Sequence, residues 1–347
     1  MLHRQIIKGL FIFFVPIYFF SCFPIENTKS KVISSKTGFK IGFASCLHQN
    51  KPMPIFETIK TENFDLFLMM GDNVYGNSDS EDLKELRLAY KKQEQNFKKL
   101  NLGFPFEAVW DDNDYGLGDG GKEYQLKESS KKLFLDFWDV PADDPRRKRE
   151  GIYHEIKKIY KGNSLQILFL DTRTFRDNLK PSDDKGAVGK ERYIPSLDNS
   201  LTMLGDEQWQ WLVQKMSERA DYRFIISSIQ FLAVGHGWEC WNNFPLERQR
   251  LIDLIDTSDL QHTVILSGDR HRGGLYRLKT KSEKIISEMT SSSLNVPYSN
   301  PEEPGPLRIK GTYSKENYGT IHIDESQDSI SIMLKNIKGE IVNSFRL

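Results

Sequence analysis

The segment DLFLMMGDNVY, residues Asp65–Tyr75, joins a short apolar run to a Gly-Asp turn and a tyrosine. An unbroken apolar run bounded by turn residues is typical of a strand that is buried on both faces, as in a parallel sheet. Ligands of such sheets collect where the strands end, at their carboxyl ends. The segment therefore predicts a buried strand that delivers Asp72 and Tyr75 to a functional edge.

The same arrangement recurs along the chain. Strands are predicted at 39–45, 106–112, 222–228 and 262–269, an antiparallel pair at 151–160 and 164–173, and further strands after residue 273. Helices are predicted at about 79–100, 122–138, 205–218 and 246–256. Alternating strands and helices followed by a run of strands fit a layered α/β domain built on two packed sheets.

The chain has 347 residues, and its 48 basic and 48 acidic residues balance to a formal net charge of zero. This length suits one large domain or two modest ones. A neutral chain has no bulk electrostatic attraction to nucleic acid, so we expect no nucleic-acid scaffold role. We expect a monomer.

The N-terminal residues have the pattern of an export signal. Arg4 and Lys8 precede an apolar stretch at 10–20 that is too short to span a membrane, and Ser21 and Cys22 follow it. The pattern predicts a lipoprotein signal at 1–22 with an acylated Cys22, a tether at 23–37 and one domain at 38–347. A plain signal peptide or a short anchor is the alternative. We therefore expect an exported protein, lipid-anchored to a bacterial membrane, at the cell surface or in the periplasm.

Chemically capable side chains follow five of the predicted strands: Cys46; Asp72 and Tyr75; Asp111 and Asp112; Asp171 and Arg173; Asp269 and His271. Clustered carboxylates need a counter-charge, which metal ions supply directly. A thiolate and a phenolate suit ferric iron, whereas all-oxygen positions suit calcium, magnesium or manganese. Alternatively, Cys46 could form a disulfide with Cys240 in an exported protein.

The motifs GFASC, GDNVY, VWDDND, LDTRTFRD and SGDRH occur in this order, each at a predicted strand end. Together they resemble the alkaline phosphatase D family of calcineurin-like metallophosphoesterases, over nearly all of the chain after the tether. The resemblance implies a two-sheet sandwich flanked by helices, in α/β/β/α layers. It also implies hydrolysis of small-molecule or lipid phosphate esters by a metal-activated hydroxide.

The resemblance also implies roles for individual residues. Cys46 and Tyr75 match iron ligands, Asp72 matches the carboxylate that bridges the metals, and Asp112 matches a ligand of the second metal. Asp269 and His271 match the ligands of the last Gly-Asp-x-His turn. Two or more ions are expected: Fe(III) with Ca(II), or with another divalent ion such as Mg, Mn or Zn.

One position departs from the family pattern, since Asn113 stands where the family usually has a histidine. An asparagine can donate a hydrogen bond but cannot transfer a proton near neutral pH. Arg173 and Arg176 are candidates to hold phosphate oxygens, although a salt bridge from Arg173 to a nearby carboxylate is the alternative. His236 either donates to the metal or phosphate, or is a hydrogen-bonded loop histidine.

Two other functions fit the sequence. The first is a phosphodiesterase or phospholipase of the same fold, which a lipid-anchored protein would bring close to lipid substrates. The second is a non-catalytic descendant that binds phosphorylated ligands, and Asn113 is the feature that favours it.

Overall fold

The described residues, 38–160, 162–299, 305–324 and 329–347, form two six-stranded sheets in this computed structural model. The strands are β1 Phe39–Ala44, β2 Leu66–Met70, β3 Phe106–Val109, β4 His154–Tyr160, β5 Asn163–Phe169, β6 Tyr222–Ser227, β7 His262–Ser267, β8 Gly273–Lys279, β9 Ile285–Ser291, β10 Asn317–Asp324, β11 Ser329–Asn336 and β12 Ile341–Arg346. The helices are α1 Ile55–Thr61, α2 Lys84–Leu100, α3 Asp112–Tyr115, α4 Lys127–Phe137, α5 Gly205–Met216 and α6 Pro245–Thr257.

Each sheet has a parallel centre. The first has the strand order β12-β11-β10-β1-β2-β3, with β1, β2 and β3 parallel. The second has the order β4-β5-β6-β7-β9-β8, with β5, β6, β7 and β9 parallel. The carboxyl ends of these strands therefore lie together at one edge of each sheet.

Apolar side chains alternate between two clusters along the second sheet. Phe224 and Ile226 point into the cluster between the sheets, which also takes the buried sides of α1, α2 and α4. Ile225, between them in sequence, points into the cluster beneath α5 and α6. This alternation confirms the α/β/β/α layering expected from the sequence.

The two sheets meet where β1 and β9 end. Ser45 and Ser292 form an isolated parallel bridge, and the Leu294 amide donates to the Ser45 carbonyl at 3.0 Å. Because this seam joins the carboxyl ends of the central strands, it brings residues from both sheets to one place.

Most predicted elements are confirmed with end shifts of a few residues. The third predicted strand ends at Val109 rather than 112, because α3 begins at Asp112. The first predicted helix, observed as α2, begins at Lys84 rather than 79. The expected signal and tether, 1–37, lie outside the described residues and stay predictions. None of the helices in the described part of the chain is both long and apolar enough to cross a bilayer.

Candidate metal centre

Two glycines bring the strand ends together. A Cβ atom at Gly71 would lie 2.5 Å from the Cβ of Asp111, so only glycine lets the ends of β2 and β3 approach this closely. A Cβ at Gly268 would lie 2.5 Å from the Ser45 Oγ atom and 3.0 Å from the Ser228 carbonyl. Each glycine is followed by an aspartate, so the close approach places Asp72 and Asp269 at the seam.

The backbone is strained at the same place. Positive φ angles of 58°, 53°, 65° and 55° occur at Cys46, Asp72, Asp269 and His271. Non-glycine residues rarely adopt this conformation, which costs on the order of 1 kcal/mol or more at each position. Strain of this kind persists where the surroundings impose it, and it concentrates at functional sites.

Sulfur, phenol and imidazole groups surround one oxygen of Asp72. The Cys46 Sγ atom lies 3.6 Å from Asp72 Oδ2, and the Tyr75 hydroxyl donates to the same oxygen at 3.1 Å. His271 Nε2 lies 3.3 Å from the Tyr75 hydroxyl oxygen. Ligand atoms of Cys46, Asp72 and His271 all lie within 4.8 Å of one another. The structure thus brings together the residues predicted to bind iron.

The ring of His271 is held in one orientation. Its Nδ1 atom lies 2.5 Å from the Val296 carbonyl, an acceptor only, so Nδ1 carries the proton. Nε2 then has a free lone pair directed at the Tyr75 hydroxyl and the Asp72 carboxylate. Histidines that bind metals are commonly fixed in this way through the second ring nitrogen.

A second group of acids shares Asp72. Ligand oxygens of Asp72, Asp111 and Asp112 lie within 4.8 Å of one another. The Oδ2 atom of Asp111 is buried and has no hydrogen-bond partner among the described residues. The Asn113 amide donates to Asp72 Oδ1 at 3.0 Å and to Asp112 Oδ1 at 2.8 Å. An orphaned carboxylate oxygen beside two other carboxylates is a fit for a cation.

Burial and mutual repulsion disfavour the charged forms of these groups. Burial raises the pKa of the Cys46 thiol to about 12, and Asp269 and Asp111 add to the shift. Burial, followed by the neighbouring Asp112 carboxylate, raises the pKa of Asp72 well above its ordinary value. A bound cation favours the deprotonated forms and reverses both shifts. The site as folded is therefore chemically suited to a metal ion.

Asp269 lies on the wall of the adjoining cleft. Burial raises the pKa of its carboxyl, and Asp111, Glu239 and Asp112 act in the same direction. Its carboxylate is thus close to the acids of the second group, although it does not belong to either compact ligand set. Asp269 follows the end of β7, as the sequence predicted, and its role as a metal ligand stays a prediction.

The structure corrects the role expected for Arg173. Its guanidinium is fully buried and donates to Asp111 Oδ1 at 2.7 Å and to Glu239 Oε2 at 2.7 Å. These contacts pair the guanidinium with two buried carboxylates, so Arg173 is not available to hold a phosphate. The salt-bridge alternative is the one observed, with Asp111 and Glu239 as partners.

Arg176 and His236 are also placed away from the expected chemistry. Arg176 is buried, with Nε 3.1 Å from Glu239 Oε1 and Nη1 donating to the Asp177 carbonyl at 2.8 Å. His236 Nε2 lies 3.2 Å from Gln230 Oε1, and its Nδ1 accepts from the Trp238 amide at 3.2 Å. Burial lowers the pKa of His236 to about 3, which fits a neutral, hydrogen-bonded loop histidine.

Asp114 lies close in sequence to two other acids, and its carboxylate has a structural role in the turn. Its side chain accepts from the backbone amide of Asn73 at 2.7 Å and also from that of Asp111. This carboxylate therefore closes the turn after β3 and ties it to the turn after β2. Asp111, the N-cap residue of α3, has an unpartnered Oδ2 atom and belongs to the second group of acids.

A cleft of about 410 Å³ opens beside these groups. Asp72, Asp112, Asn113, Asp269 and His271 line one part of it, and Arg192, Trp238, Arg270 and Tyr298 line another. A larger groove between α2 and α4 lies away from the strand ends. The carboxyl-edge cleft is thus the one that combines space with reactive side chains.

Comparisons with known proteins give the family and the fold. A family model described as PhoD-like phosphatase matches residues 41–331. The alkaline phosphatase D of Bacillus subtilis is 24% identical over 292 residues, which is 71% of this chain and 48% of that protein. The chain thus spans about half the length of this curated relative.

Three solved structures share the fold. A PhoD structure has a TM-score of 0.68 and 18% identity, covering 90% of this chain and 69% of that one. GAP50, the anchor in the inner membrane complex of Plasmodium, has a TM-score of 0.61 and 11% identity, covering 90% and 89%. The purple acid phosphatase PPD1 of yellow lupin (Lupinus luteus) seeds has a TM-score of 0.56 and 12% identity, covering 89% and 53%.

The observed role of Arg173 has a measurable consequence. Arg173→Met leaves the buried Asp111 carboxylate without a counter-charge and Glu239 with Arg176 alone, which should cost about 3–5 kcal/mol of unfolding free energy. Arg192→Met is the matched control, because Arg192 is half-exposed and makes one ion pair, so its loss should cost at most about 1 kcal/mol. Urea unfolding measures both. Unchanged stability of Arg173→Met would contradict the assignment.

Proposed function

The chain belongs to the PhoD-like phosphatase family, and we propose that it is a metal-dependent hydrolase of phosphate esters. One observation carries the proposal: a thiol, a phenol, an imidazole and several carboxylates from both sheets converge on Asp72 beside an open cleft. This combination of donors suits metal ions and has no evident structural purpose.

The proposed metals are iron(III) and a divalent ion such as calcium. Cys46, Tyr75 and His271 would hold the iron, since thiolate, phenolate and imidazole are ligands that suit it. Asp111 and Asp112 would hold the second ion through oxygen, with Asp72 shared because it belongs to both ligand sets. When bound, the ions supply positive charge that stabilises phosphate oxygens and lowers the pKa of the attacking water.

The protein's own groups position the reactants. Arg173 neutralises Asp111 from inside the protein and so fixes how that carboxylate is directed. The Asn113 side-chain amide donates its two N–H groups to Asp72 Oδ1 and Asp112 Oδ1, so it holds these two carboxylates at the cleft. Val296 keeps the proton of His271 on Nδ1, away from the reacting phosphate.

Asn113 is expected to set the range of esters that react well. Departure of an alkoxide with a high pKa needs a proton donor, and an amide cannot supply the proton. A phenolate stabilised by a nitro group leaves without one. We therefore propose that the enzyme favours esters with acidic leaving groups. The alternative, a protein that binds phosphorylated ligands without turnover, rests on the same residue.

The metal proposal is tested with a pair of buried cysteines. Cys46→Ala should lose the transition metal and reduce phosphatase activity at least about 100-fold, because a direct ligand is removed. Cys240→Ala is the matched control: both thiols are free and buried, and burial raises the pKa of each to about 12. Elemental analysis and turnover of 4-nitrophenyl phosphate measure the effect. Full metal content in Cys46→Ala would overturn the assignment.

The role of Asn113 is tested by restoring a proton donor. Asn113→His should raise kcat/KM for an alkyl phosphate about 10- to 100-fold and change that for 4-nitrophenyl phosphate little, since general acid catalysis matters mainly for poor leaving groups. Asn113→Ala, the control, should give no gain. An equal effect on both substrates would argue against this role. A fully metallated wild-type protein that turns over neither ester would favour the binding function instead.

A further inference from the structure

The cleft has two chemically different walls. Carboxylates cluster beside Asp72, whereas two arginines and two aromatic rings form the other wall, to which Asp119 and Glu239 also contribute. The guanidinium carbons of Arg192 and Arg270 each lie 5.1 Å from the ring centroid of Trp238, within the range of cation–π attraction. The ring of Tyr298 meets Trp238 edge-on, with centroids 6.3 Å apart. Trp238 thus organises a cationic wall in the same cleft as the candidate metal ligands.

The segment that carries Arg192 is fastened in place. We name residues 180–194, which contain no helix or strand, the rim ribbon. The backbone amides of Arg192 and Tyr193 both donate to the Gly237 carbonyl, at 2.9 and 2.7 Å. A Cβ atom at Gly237 would lie 2.4 Å from the Glu191 amide nitrogen, so glycine is required where the ribbon passes. These contacts hold Arg192 next to Trp238.

Arg192 keeps hydrogen-bonding capacity toward the cleft. Its side chain is 48% exposed, and Nη1 pairs with Asp119 Oδ2 at 2.6 Å. No described residue accepts from Nε or Nη2. The Asp119 carboxylate also accepts from the Tyr193 hydroxyl at 2.7 Å, so it stays anchored without Arg192. A guanidinium in this state can hold an anion through its remaining N–H groups.

The cationic wall is close to the ligand side. The backbone amide of Asp119 donates to Asp112 Oδ2 at 2.8 Å, so a single residue connects Arg192 to a candidate metal ligand. An ester whose phosphate lies at the metals could therefore extend a second group to Arg192. Of the two other carboxylates that line this cleft, Glu239 is paired with the buried Arg173 and Arg176, so Arg192 and Arg270 together outweigh the remaining Asp119. The wall therefore favours a negative group, and the half-buried Trp238 limits the water that would screen it.

We propose that Arg192 and Trp238 form a subsite that selects phosphate esters carrying a second anionic group, a carboxylate or a phosphate, on the alcohol portion. Arg192 makes the contact, and Trp238 positions it. The inference rests on the proposed function for the location of the scissile phosphate. The subsite adds a specificity that the metal centre does not provide, because the metal centre would act only on the reacting phosphate.

Binding of three non-hydrolysable probes to the metal-reconstituted full chain tests the subsite. The probes are propylphosphonate, 3-phosphonopropanoate and propane-1,3-bisphosphonate, which differ in the charge of the distal group. The wild type should bind one or both of the probes that carry a second anionic group about tenfold tighter than propylphosphonate, as expected for one charge-assisted contact. Arg192→Met should abolish this preference and leave propylphosphonate within about twofold. The stronger of the two charged probes identifies the distal group.

Two variants keep the test specific. Arg192→Lys should retain part of the preference, whereas Arg219→Met, a change of an exposed arginine outside the cleft, should retain all of it. Equal wild-type affinity for all three probes, or a uniform loss of affinity in Arg192→Met, would overturn the proposal. Because the probes are not hydrolysed, a wild type that shows the preference but cleaves no ester would refute the proposed function and keep the subsite.

Discussion

Repulsion among buried anions at the seam between the sheets governs the arrangement of this site. Asp72, Asp111 and Asp112 lie together, and two like charges 4 Å apart repel by about 4 kcal/mol even at an effective dielectric constant of 20. Two counter-charges can offset this cost. Arg173 supplies one from inside the protein, and a metal ion would supply the other from the cleft side. The protein is thus built around a charge imbalance that a cation corrects.

The fold maintains this imbalance through backbone geometry. Gly71 and Gly268 allow strand ends to approach more closely than any side chain would permit. Asp72 and Asp269 follow them in left-handed conformations, so each Gly-Asp pair combines close packing with strain. The parallel centres of two sheets, joined at Ser45 and Ser292, provide a core large enough to offset that strain. Short turns directly after rigid strands therefore fix the reactive groups.

The sequence was most informative where local patterns decide the structure. Apolar runs ending in Asp, Cys or His identified the strands and the edge at which Cys46, Tyr75 and His271 meet. It was less informative for long side chains whose partners are distant in sequence. Arg173 pairs with Glu239, 66 residues away, and no local signal distinguishes this from a guanidinium open to phosphate. The stacking of Arg192 on Trp238 could not be predicted for the same reason, since it depends on how the rim ribbon passes Gly237.

The central claim is that the residues around Asp72 are a metal centre, and anomalous X-ray scattering from crystals of the metal-reconstituted protein tests it most directly. Data collected on both sides of the iron absorption edge should show a peak within bonding distance of Cys46 Sγ, the Tyr75 hydroxyl oxygen and His271 Nε2. A second ion should lie within bonding distance of carboxylate oxygens of Asp72, Asp111 and Asp112. Crystals that show no anomalous peak at the seam, although the protein in solution contains stoichiometric metal, would contradict the account.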